Sequence, residues 1–148
     1  MCFETIRTAL YSSVVLLGMA ISVPAHAENN LEKQVSEGIK LAGGGEVGTA
    51  EYFITEHKWP AHLSDVYTTA AERPAGIYVA SVSGKGEGDT YVIQAVMRSD
   101  KYVLRALKGK SLVMWTTDGG NTWHCGTTGE LGVSGTINRS LLPQSCRE

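Results

Sequence analysis

The hydrophobic period of this chain changes at Trp59-Pro60, and that change limits the folds open to it. Before it, Leu31, Val35, Ile39 and Ala42, then Ala50 and Phe53, recur at helical spacing, with Glu32, Lys33, Glu37 and Lys40 between them. Such a stripe marks an amphipathic helix that buries one side. Asn30 is placed as a partial N-cap, with Lys33 where a capping box would put Glu. Gly43-Gly44-Gly45 interrupts the stripe; each Gly costs about 1 kcal/mol relative to Ala, so three together kink the helix or split it in two. Pro60 pushes Trp59 towards extended geometry and ends the helical stretch.

Beyond Pro60, Ala61 to Gly76 shows neither period and reads as a long surface connection. Strand signals follow at Ile77 to Val82 and Thr90 to Met97, with Gly84 to Asp89 as the intervening loop. A third strand is expected over Ser111 to Thr117. Asp118-Gly119-Gly120-Asn121 is a turn before Thr122 to Cys125, and Gly126 to Glu148 is loop-like. One long N-terminal helix laid on an antiparallel sheet of about four strands is an α+β plan. At 148 residues the chain suffices for a single core, and its 17 glycines fit a turn-rich sheet.

The first 27 residues are expected to lie outside that core. Arg7 gives a weakly positive start, Ala9 to Val23 is an apolar run, and Pro24-Ala25-His26-Ala27 presents small residues in an A-x-A arrangement. This predicts an export signal, 1-27, cut between Ala27 and Glu28, with 28-148 as the mature domain and no stable membrane anchor left. An uncleaved anchor is the alternative, although the run is short for a bilayer span. Cutting removes Cys2 and leaves Cys125 and Cys146, an even pair in an exported domain and hence one disulfide.

Signs of chemistry are sparse. His57, His62 and His124 are scattered, without acidic or sulfur ligands at a zinc-like spacing, and read as solvent-facing loop residues, so neither a metal nor a cofactor is expected. His124 beside Cys125 does not make a nucleophile, because a disulfide sulfur cannot attack and neighbours in a strand face opposite ways. No nucleophile elbow, phosphate loop or dinucleotide fingerprint occurs, and the chain is not expected to be an enzyme. Thr116 to Trp123 resembles the Asp-box hairpin S/T-x-D-x-G-x-T-W, in which Asp118 would bond turn amides and Trp123 would pack beneath; this is a structural clamp. A net charge of −2 disfavours a strongly basic nucleic-acid binder. Even so, Arg98, Lys101, Arg105, Lys108 and Lys110 face only Asp100 in their window and could hold a polyanion. The plainer reading is a solvated loop and strand edge.

Gln34-Val35-Ser36-Glu37-Gly38-Ile39-Lys40-Leu41-Ala42-Gly43, Ala50-Glu51-Tyr52-Phe53 and Lys58-Trp59-Pro60 together resemble the second half of the long helix of type IVa pilins. Gly76 to Val82 is similar to that family's first strand, and Leu107 to Leu112 to its I-x-G-K-x-L segment. Trp123-His124-Cys125-Gly126 and Leu141-Leu142-Pro143-Gln144-Ser145-Cys146-Arg147 resemble the W-x-C and L-P-x-S-C-R motifs that close the pilin disulfide loop. The resemblance implies a pilin-like globular head, a C-terminal loop bounded by Cys125 and Cys146, and a non-enzymatic role in type IV pilus biology. Its expected partners are pilin subunits or pilus machinery, with host or neighbouring cell surfaces beyond. The location it implies is the periplasm, the cell surface or the medium of a Gram-negative bacterium. Relative to the family, the apolar half of the helix with its T-L-x-E-L motif is read as replaced by an export signal. A second reading is a DNA receptor similar to competence pilins, using the basic window.

Overall fold

The computed structural model describes residues 25–66 and 75–147; the segment read as an export signal, up to residue 24, and the centre of the long connection lie outside the described residues. Two helices open the fold, α1 (Ala25–Gly43) and α2 (Glu46–Glu56). Gly44 and Gly45 break the axis between them while their amides still reach Lys40 O at 2.9 Å and Ala42 O at 3.1 Å. The triple glycine therefore splits the helix, as expected, without stranding backbone donors.

Both outer ends of the helical stretch differ from expectation. Asn30 is not a cap: α1 already runs through it, and its Oδ1 accepts from Gln34 Nε2, one turn on, at 2.9 Å. The helical stretch stops at Glu56, three residues short of Trp59, because His57 adopts the left-handed conformation (φ 53°) and gives its N–H to Phe53 O.

Four strands follow in sequential order: β1 (Val79–Glu87), β2 (Thr90–Met97), β3 (Ser111–Thr116) and β4 (His124–Gly126), all antiparallel. Sequence expectation ended β1 at Val82 and read Gly84 to Glu87 as loop. Instead Gly84 pairs with Ile93 and Gly86 with Tyr91, and the turn shrinks to Gly88-Asp89. Those glycines are there for room: a Cβ at Gly84 would overlap the Tyr91 phenol, and one at Gly86 the Trp59 indole.

The core lies between α1 and the inner sheet face. Val35 and Ala42 of the helix join Tyr91, Ile93, Ala95 and Met97 of β2 and Leu112 and Met114 of β3 in one buried cluster. The outer face carries a second cluster of Val92, Val113 and Trp115, covered by Leu131 and Val133 from the C-terminal segment. Covered on both faces, β3 is buried at every position, which is why Ser-Leu-Val-Met-Trp-Thr reads as a continuous run. His124 is a correction: it lies half-buried in β4, stacked on Trp115 at 5.5 Å, while His57 and His62 are exposed.

Candidate functional site

Two polar side chains of α1 fasten the helix to distant backbone. Gln34 is fully buried; its Oε1 accepts from Leu104 N at 2.9 Å and its Nε2 donates to Tyr102 O at 3.3 Å. One turn along, a single oxygen of Glu37 accepts from Tyr78 N at 2.7 Å and Val79 N at 3.0 Å, holding the entry to β1. Sequence reasoning placed both residues inside a motif but gave them no role. Their partners lie 41 to 70 positions away, beyond the reach of any local pattern.

Gln34 thus anchors the β2–β3 loop, the home of the basic window. Val103 and Leu107 are buried beneath it, and Lys108 N bonds Leu104 O at 3.1 Å to form a helical turn. With Leu104 and Leu107 turned inward, Arg105 and Lys108, three positions apart, share the exposed side. Lys101 and Lys110 are exposed too, and Lys101 Nζ lies 5.2 Å from the centroid of Tyr102, a ring 65% exposed. Arg98 differs from the other four: half-buried, it gives Nε–H to Gly76 O at 3.2 Å and sits 4.0 Å from Asp100.

At the opposite end of the strands stands the Asp118 hairpin. Asp118 Oδ1 accepts from Thr116 Oγ1 at 2.8 Å and Thr122 N at 2.9 Å, while Gly120 N bonds Thr116 Oγ1 at 3.1 Å. The bonds to the Thr122 amide and the Thr116 hydroxyl lower the carboxyl pKa to about 2. Trp123 is half-buried and meets Tyr91 edge-on at 6.5 Å; Tyr91 in turn packs at 4.8 Å on Trp59, which stacks on Phe53 at 4.1 Å. Trp59 Nε1 donates to Gly88 O at 2.8 Å, so this aromatic row pins α2 to the β1–β2 turn. Between α2 and the hairpin lie two shallow depressions of about 230 and 450 Å³ that share Ile54. Four acids line them, Glu46, Glu51, Asp89 and Asp118, and partial burial raises the pKa of Glu46.

The third feature is the disulfide. Cys125 in β4 and Cys146, both buried, are bonded with their Cα atoms 4.5 Å apart. The intervening segment is ordered by Thr136 N and Ile137 N, which both reach Ser111 O, and by buried Ile137 and Leu142. Arg147 closes the end by donating Nε–H to Leu142 O at 2.7 Å. Among the described residues no three His, Cys, Asp or Glu side chains gather as a metal site, and no helix is long and apolar enough to cross a membrane.

A helix fastened across an antiparallel sheet, with a disulfide closing the last strand and the C-terminal turn, agrees with a family model described as pilin (bacterial filament), which matches residues 34–147. The chain belongs to the type IV pilin family. Among curated relatives, the fimbrial protein EcpC of Eikenella corrodens is 31% identical, covering 98% of this pilin and 89% of its own length. The type IV major pilin protein PilE of Neisseria gonorrhoeae and a fimbrial protein of Neisseria meningitidis serogroup A are each 28% identical, covering 99% of this pilin and 93% of their own length. Such filament proteins are structural and non-enzymatic, which places this pilin outside the enzymes.

Proposed function

We propose that this pilin is an exported subunit of a type IV pilus, with residues 28-148 as the head that meets other subunits and, at the filament surface, host or neighbouring cells. The observation that carries the reading is the family match over residues 34–147, from Gln34 of the helix fastening to Arg147 beyond the disulfide. Shearing pili from cells tests it. The chain should appear in the sheared fraction; recovery confined to periplasm or medium would refute subunit status and leave a soluble modulator of the pilus.

The cut between Ala27 and Glu28, which would leave no membrane anchor, is part of this proposal. The alternative, in which the first 27 residues are retained, draws on two observations. α1 is already continuous across Ala27-Glu28, and the relatives align over 98–99% of the chain, a coverage that reaches into that segment. Intact mass of the protein from sheared pili separates the two: a chain beginning at Glu28 supports cleavage, and a heavier chain retaining the segment refutes it. The DNA-receptor reading has less support, because Arg98 is engaged with Gly76 O and Asp100.

A further inference from the structure

We infer that copies of this pilin join head to tail, the basic β2–β3 loop of one seating in the acidic groove between α2 and the Asp118 hairpin of the next. This rests on the filament reading above and names the contact that reading leaves open.

The register separates the charges. Val96 pairs with Ser111, so the basic loop leaves one end of β2 and β3; Tyr91 pairs with Thr116 and Gly119 N bonds Asp89 O, so the hairpin and groove occupy the other. The 8 residues of β2, at about 3.3 Å each, set the ends roughly 25 Å apart. That is about three Debye lengths at physiological salt, so the two patches do not neutralise each other within one copy. No Lys or Arg is among the described residues lining the groove, while Asp100, the one acid of the basic window, is occupied by the Tyr102 amide and Arg98.

Both ends also expose apolar surface. Tyr102 is 65% exposed on the loop; Val47 and Ile54, two turns apart on one side of α2, are 68% and 67% exposed at the groove. A ring flanked by cations fits an apolar strip rimmed by carboxylates. Because the two surfaces are different and lie at opposite ends, their contact is heterologous and propagates instead of closing into a dimer.

The test uses full-length protein in neutral detergent, with association followed by sedimentation equilibrium at low and high salt. Reversing the loop charges (Lys101→Glu with Arg105→Glu) or the groove charges (Glu51→Lys with Asp89→Lys) should each weaken self-association roughly tenfold or more at low salt. Mixing the two variants should restore it, since reversed loop then meets reversed groove and native loop meets native groove. Variants that associate like the parent, or a mixture that stays dissociated, would overturn the inference, as would a loop reversal that abolishes DNA gel shifts while leaving association intact. Filament failure is read separately: parent protein absent from sheared pili sinks the subunit reading, whereas variants that assemble and associate normally sink only this contact.

Discussion

Gln34→Leu isolates the helix fastening, because leucine nearly matches glutamine in volume and removes only its polar atoms. Two backbone groups lose their partner, the Leu104 amide at 2.9 Å and the Tyr102 carbonyl at 3.3 Å, and the site is fully buried on the helix side. A buried donor left unpaired costs about 1–3 kcal/mol. The longer carbonyl contact adds less, since that carbonyl has a second lone pair and lies beside the exposed Tyr102 ring. The expected loss is therefore about 2–3 kcal/mol, read as a lower urea midpoint at unchanged slope. Asn30→Ala, which removes only the exposed partner of Gln34, should change stability by less than about 0.5 kcal/mol. Hydrogen exchange supplies the local readout: the Leu104 amide should lose protection in Gln34→Leu beyond the global change. A Gln34→Leu midpoint equal to the parent's, or Leu104 protection falling no more than its neighbours', would refute the fastening role.

Replacing both Cys125 and Cys146 by Ala should cost about 3 kcal/mol, the chain-entropy value for a ring of this size; identical melting of the parent with and without reductant would contradict it. Gly120→Ala should destabilise by about 2 kcal/mol, since φ is 92° and the new Cβ would lie 2.7 Å from Ala50 Cβ, forcing the hairpin off α2; an unchanged thermal midpoint would show that the hairpin yields freely. The Asp118 carboxyl, held at about 2, stabilises the fold above its unfolded value near 4, and that contribution disappears as pH falls to about 2. Urea midpoints of parent and Asp118→Ala should accordingly converge between pH 4 and 2, and a constant gap would rule the mechanism out.

The parts of the fold legible in the sequence were those set by local spacing. Thr90 to Met97 matched β2 end to end because its alternation and the flanking turn are both local. The triple glycine split the helix because three poor helix formers in a row have one local effect. The misreadings came from glycines and polar residues whose reasons are tertiary. Gly84 and Gly86 signal a loop in isolation, yet they extend β1 because Tyr91 and Trp59 need the space. Asn30 reads as a cap because it stands just before Leu31, the first residue of the apolar stripe, whereas the helix itself begins upstream of that stripe. At the candidate site, the basic window was visible as a run of charge, but only the structure distinguishes Arg98, tied to Gly76, from Arg105 and Lys108 on an exposed turn. The acidic groove was not legible at all, since Glu46, Glu51, Asp89 and Asp118 come from three separate stretches of chain.

The glycine break between α1 and α2 decides where tension goes when a thread built of such subunits is stretched. A pull arriving along α1 meets Gln34 and Glu37 first and passes from them into the β2–β3 loop and the start of β1. From there it runs along paired strands, where many hydrogen bonds share the burden in shear. Gly44 and Gly45 offer no stiff axis to carry it onward, and α2 hangs instead from the stacked rings of Phe53, Trp59 and Tyr91. Load reaching the groove at the far end therefore enters the sheet through those rings and the Trp59–Gly88 bond, and not through a continuous helix axis.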